Sequence, residues 1–122
     1  MWICTNTAFL SVVHKDCAAD ELLVRGRRPG DIESVFPDAV VKTTLGNDYL
    51  FRAVIKRAVV GATLAKLAET LNYDNFKNSV ANDPLHTAYN KIWHVMANLQ
   101  PLPPYAANSP ANRNRLQVLT AK

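Results

Sequence analysis

The sequence predicts a single α+β domain in which an antiparallel sheet of about five strands carries helices packed on one face. Three observations predict it. Short β-rich runs separated by turn residues occupy most of residues 1–55, apolar residues recur at spacings of three and four from Val60 onward, and Pro101, Pro103 and Pro104 then exclude helix. The expected order is β-β-β-α-β-β-α-α over residues 1–100, followed by an extended, Pro/Asn-rich basic tail over 101–122.

Trp2 to Thr5 and Phe9 to His14 are β-rich, and Asn6-Thr7-Ala8 between them reads as a hairpin turn. A polar loop, Lys15 to Asp20, leads to a third strand, Glu21 to Arg27. Its alternation sets Leu22 and Val24 on one face and Leu23, Arg25 and Arg27 on the other. Arg28 closes that strand, and Pro29-Gly30-Asp31 opens a short helix with a stripe of Ile32, Val35 and Phe36 that Pro37 stops. Ala39 to Thr44 and Tyr49 to Ile55 read as a second antiparallel pair joined by Leu45-Gly46-Asn47-Asp48. In the latter strand Tyr49, Phe51, Ala53 and Ile55 point one way and Leu50, Arg52 and Val54 the other, so both faces are apolar and the strand is expected to be central.

Val60, Leu64, Leu67, Ala68 and Leu71 form one helical stripe, ended by Asn72-Tyr73. Tyr73 to Val80 carries Tyr73, Phe76 and Val80 at helical spacing, with polar interruptions. Asp83-Pro84 is the clearest helix start, since Asp can cap free amides and Pro suits the first helical position. That helix is expected to run to about Gln100 with Leu85, Tyr89, Ile92, Trp93, Met96 and Leu99 on its apolar face. The tail holds one short candidate for order, Leu116 to Leu119, and a P-x-x-P match at Pro101-Leu102-Pro103-Pro104.

The 122 residues are 48% apolar and 20% charged, an ordinary composition for one small globular domain. A chain of this length buries roughly 65% of its unfolded surface, enough for a core without disulfides or structural metal. The longest apolar stretch, Ala58 to Ala65, falls far short of a membrane span, and the N-terminus has no signal-peptide pattern, so the cytoplasm is the expected compartment. The net charge of +4 is unevenly placed. Acidic and basic side chains balance over residues 1–83, whereas residues 84–122 hold Lys91, Arg113, Arg115 and Lys122 and no carboxylate side chain. That asymmetry suits phosphate or an acidic partner surface; the simpler alternative is a solvated basic tail.

Arg25, Arg27 and Arg52 share a strand parity and are the candidate binding face, with Arg113 and Arg115 of the tail beside them. Such a face binds nucleic acid best when aromatic rings lie among the charges, and here Tyr49 and Phe51 have the opposite parity to Arg52. Three arginines solvating an exposed face, or pairing with Glu21, Asp48 and neighbours, is the competing reading. Trp93, Tyr89 and Met96 offer a partner-binding stripe, although core packing is the stronger reading because the stripe repeats at helical spacing. Cys4, His14 and Cys17 match no zinc spacing, and Cys4, in an apolar strand, reads as a small buried hydrophobe. His86 and His94 lie eight residues apart and so diverge by about 80° around a helix, too far to share a ligand. No catalytic residue, metal ligand or cofactor motif is expected.

The opening MWICTNTAFLSVV, the stretch LLVRGRRPGDIESVFP, and NYDNFKNSV followed by HTAYNKIWHVMANLQ together resemble a family of short proteins from bacteria, phages and other mobile elements for which no activity is established. The resemblance spans roughly residues 1–100 and carries no functional residue across. With the basic C-terminal third it implies a small non-enzymatic binding protein with a protein partner. An inhibitor of a host nucleic-acid-targeting defence complex, such as a CRISPR effector, that acts by masking a surface is the leading expectation. Direct DNA or RNA binding is the first alternative and a small enzyme using His14 or His86 with Cys4 or Cys17 the second.

Overall fold

The computed structural model describes residues 1–105 and 110–121. Its strands are β1 (Trp2–Cys4), β2 (Phe9–Val13), β3 (Glu21–Gly26), β4 (Lys42–Thr43) and β5 (Phe51–Lys56). They form one sheet of order β1-β2-β3-β5-β4, antiparallel at every pairing. The chain meanders through β1, β2 and β3, crosses through helix α1 (Asp31–Val35) to the far edge, and returns as β5 between β3 and β4. β5 is therefore interior, as its doubly apolar pattern predicts, but the centre of the sheet is β3. Helix α2 (Arg57–Glu69) follows β5 directly, and α3 (Asp83–Ala97) comes after a short 3-10 turn, Lys77–Ser79.

Register makes the two faces explicit. Leu10 lies opposite Gly26, Val12 opposite Val24, Leu22 opposite Ile55 and Val24 opposite Ala53, so these side chains share one face. On it they form the core with Ile32, Val35 and Phe36 of the α1 segment and Val60 of α2, and Leu64 and Phe51 pack at its margin. α1 approaches so closely that a Cβ on Gly26 would lie 3.3 Å from Ile32 Cγ1, and the chain enters α1 through Gly30 at φ +85°, a left-handed conformation that a side chain strains. Pro37 follows the helix at once, as expected.

α3 is placed differently. Leu85 and Tyr89 pack with Val80, Phe76 and Phe9, and Phe9 projects from the sheet face opposite the core just described. Helices on one face thus holds for α1 and α2, while α3 closes the end of the sheet at the β1–β2 turn. Its cap is Asn82, whose side chain accepts from the Leu85 N–H at 3.1 Å, one residue earlier than Asp83; Pro84 sits in the first turn as predicted. The Tyr89 hydroxyl donates to the Thr5 and Ala8 carbonyls at 2.9 and 2.8 Å, pinning α3 to the hairpin turn.

Three expectations change. Ala39–Thr44 contributes only two strand residues, because Ala39 and Val41 turn toward the core instead of continuing the ladder. Cys4 is exposed rather than buried, since β1 is an edge strand and Cys4 projects from the face away from the main core. Within the segment expected to be extended, Pro110–Thr120 form helix α4; Pro suits its first turn, and Ala111, Arg113, Arg115 and Gln117 favour helix. Residues 106–109 and 122 of the expected tail lie outside the described residues. No described helix is long and apolar enough to cross a membrane.

Burial pushes the Tyr89 phenol well above its ordinary value, with Cys4 and Asp31 adding to the rise and Arg28 opposing it. The unfolded chain ionises this group near pH of about 10, whereas the folded chain keeps its proton to higher pH. Its contribution is complete below that pH and is lost as pH rises through the folded value. Replacing Tyr89 with Phe should flatten the fall in urea midpoint between about pH 9 and 11 relative to wild type, at a cost near neutral pH of about 1 kcal/mol. Parallel pH profiles for the two proteins would contradict the assignment.

Candidate functional site

Two surfaces stand out. The first is the sheet face opposite the main core, where Arg25 on β3 and Arg52 on β5 are direct cross-strand partners and Lys42 on β4 lies opposite Arg52. Like charges in such register repel, so the face needs compensation. Asp48 supplies it from the loop before β5: its carboxylate oxygens lie 3.3 Å from Arg52 Nη2 and 3.9 Å from Arg25 Nη1. Arg25 Nη2 also donates to Ser11 Oγ at 2.8 Å, and Arg27 Nη1 donates to the Asp48 carbonyl at 2.7 Å.

Beneath these cations lies Tyr49, 4% exposed. The Arg25 and Arg27 guanidiniums stand over its ring at 4.6 and 4.1 Å from the centroid. Strand parity assigns Tyr49 to the other face, with Phe51. The structure corrects this because β5 begins only at Phe51 and the bend through Asp48 and Tyr49 frees the ring from the alternation. Gly46 at φ +84° turns the loop back, and the Tyr49 N–H donates to the Asp48 carboxylate at 3.0 Å. The aromatic partner that the sequence reading finds missing from this face is therefore present.

The predicted triad does come together. Arg25, Arg27 and Arg52 converge on one loop, with Arg25 and Arg52 side chains 14% and 16% exposed. Arg113 and Arg115 are exposed on α4, a separate element. Lys42 escapes the sequence reading, although the hairpin register that places it beside Arg52 follows once the loop length is known; Asp48 is expected as an ion-pair partner and is one, while Tyr49 is expected on the other face.

The second surface is the apolar face of α3. Leu85 and Tyr89 are buried, but Ile92, Val95 and Met96 are 39%, 67% and 56% exposed, and Leu99, 75% exposed, lies in the turn that follows the end of the helix at Ala97, short of the expected Gln100. The spacing of three and four residues puts Ile92, Val95 and Met96 on one side of the helix. Core packing therefore accounts only for the first half of the expected stripe, because the helix outruns the hairpin end that supports it. Trp93 sits at the margin with Lys77 Nζ 4.4 Å above its ring. The exposed stripe runs into a cleft of about 280 Å³ between α3 and the sheet end, floored by Phe9, Leu85, Ala88 and Ile92 and edged by Arg27 and Arg28.

Arg28 braces that cleft. Its guanidinium pairs bidentately with Asp31 at 2.9 and 3.0 Å, and it donates to Asn82 Oδ1 at 2.9 Å and to the Thr7 carbonyl at 3.2 Å. The remaining candidates for chemistry are dispersed: His14 Nε2 is 3.2 Å from the Ala18 carbonyl, and the Cys17 thiol donates to the Glu21 carbonyl at 3.4 Å. His94 is exposed on α3 and His86 half-buried. Among the described residues no group of three His, Cys, Asp or Glu side chains is placed to hold a metal ion.

No family model, curated protein or solved structure matches the chain.

If the Tyr49 ring supports the arginines by stacking and burial, Tyr49→Phe should stay within about 0.5 kcal/mol of wild type in urea denaturation, whereas Tyr49→Ala should lose about 3 kcal/mol or more. Equal losses for the two variants would refute a supporting role for the ring.

Proposed function

We propose that this chain is a small non-enzymatic binding protein that acts by covering the surface of a protein partner. The observation that carries the reading is the outer half of α3 and the turn after it, where Ile92, Val95, Met96 and Leu99 present apolar side chains to solvent. Single exposed apolar residues are ordinary, but a contiguous helical stripe is characteristic of an interaction face. Met and aromatic side chains suit such a face, and here Met96 and Trp93 belong to the same helix.

Charge indicates the kind of surface that fits. Lys91 lies three residues after Ala88 and four before Val95, along the edge of the stripe, and Arg27 edges the adjoining cleft. From Pro84 onward the chain has no carboxylate side chain. A partner with an apolar ridge flanked by Asp or Glu complements this face, whereas a second copy would set two helices with no carboxylate beyond Asp83 against each other. The resemblance to mobile-element proteins makes a host nucleic-acid-targeting defence complex, such as a CRISPR effector, the partner class to test first. Direct nucleic-acid binding is the second reading, favoured by the cluster of Arg25, Arg27, Arg52 and Lys42 on the sheet.

Val95 and Leu99 are exposed, so Val95→Glu with Leu99→Glu should leave the urea midpoint nearly unchanged. Tagged wild-type protein incubated with nuclease-treated lysate from a plausible host should retain an effector component that the double variant loses by at least about tenfold. Equal retention by both proteins would reject the α3 face, and capture that vanishes with nuclease would favour the nucleic-acid reading.

A further inference from the structure

We infer that the sheet face bearing Arg25, Arg52 and Lys42 is a binding site for a phosphate-class oxyanion, held in the present conformation by the Asp48 carboxylate as an internal stand-in. The argument begins from charge balance. Arg25 and Arg52 face each other across β3 and β5, Lys42 faces Arg52 from β4, and Arg27 joins them over Tyr49. Among the described residues, the carboxylate paired with Arg25 and Arg52 is that of Asp48 alone, at 3.9 and 3.3 Å.

Burial makes that shortfall matter. The two arginine side chains are 14% and 16% exposed, and cations withdrawn from water require counter-charge or acceptors. Their Nε–H groups are buried and meet no acceptor among the described residues. A guanidinium can offer paired N–H groups to a phosphate, and Arg52 uses one of its N–H groups on Asp48 at 3.3 Å. There is also room beside it. A groove of about 380 Å³ runs along β4 and β5, lined by Lys42, Thr44, Arg52, Leu23 and Val54.

Asp48 is built to yield. Its side chain is 65% exposed, in contrast to the arginines it pairs with, and it belongs to a loop rather than a strand. An arriving phosphate takes the Arg52 and Arg25 N–H groups, Lys42 adds its charge from the groove side, and the carboxylate turns to water. Ser11 Oγ keeps Arg25 oriented through its 2.8 Å hydrogen bond. No bond is made or broken. The site is separate from the outer half of α3, so each of the two surfaces stands or falls independently.

The shared chemistry is a phosphate group, and its source is either free phosphate or the backbone of a nucleic acid. The test measures the affinity of the full chain for inorganic phosphate by calorimetry, against chloride at matched ionic strength, and for a short oligothymidylate. Saturable phosphate binding that tightens about tenfold in Asp48→Asn and weakens at least about threefold in Lys42→Gln is the expected result. Lys42 lies exposed on the edge strand, so its variant preserves the fold, and circular dichroism verifies both variants. Binding of the oligonucleotide through the same residues, with the same response to Asp48→Asn, supports the site and identifies a polymeric source. Absence of binding by wild type and Asp48→Asn to both probes overturns the proposal, as does binding that Asp48→Asn leaves unchanged.

Discussion

The Arg28–Asp31 pair is the junction on which the arrangement of the rest depends. Asp31 opens α1 and is buried, so its charge needs a fixed partner, and the guanidinium supplies two parallel hydrogen bonds three residues earlier in the chain. The other N–H groups of Arg28 reach the β1–β2 turn at Thr7 and the α3 cap at Asn82. One side chain thus joins the helix over the main core, the hairpin end of the sheet and the start of the last long helix. Asn82 in turn accepts from both Arg28 and the Leu85 amide, which couples the position of α3 to the way that helix begins.

Fixing α3 at its N-terminal end has a consequence at the other end. The hairpin is short, so its cover reaches only to Leu85 and Tyr89, and two more helical turns extend beyond it with their apolar side outward. The exposed stripe results from a mismatch between the length of a helix and the length of its support. Retaining such a face in water is unfavourable in the isolated chain, and a partner that covers it recovers the burial.

The arginine face rests on another constraint. Two guanidiniums in cross-strand register are tolerable because a loop lays a ring and a carboxylate on them, and Tyr49 and Asp48 do this from adjacent positions. Tyr49 gives area and a π-face to Arg25 and Arg27, while Asp48 gives charge to Arg25 and Arg52. The two services differ in setting: the ring is buried and belongs to the architecture, whereas the carboxylate is mostly in water.

Periodicity alone determined the α+β class, strands β1, β2, β3 and β5 and helices α2 and α3, because alternation in β3 and the spacing of Val60, Leu85 and Tyr89 record which side chains leave water. Parity within each strand made a shared face for Arg25 and Arg52 an expectation, and the β3–β5 register sets them directly opposite each other. Tertiary structure decided what lies beyond local repeat. Tyr49 joins the arginines because a loop conformation overrides parity, and Asp48 meets them through a hairpin whose register no single strand specifies. The apolar stripe of α3 shows the same limit: its pattern is continuous from Leu85 to Leu99, but which half is core depends on where the hairpin ends. A sequence states that a face is apolar; only the packing of distant segments states whether anything covers it.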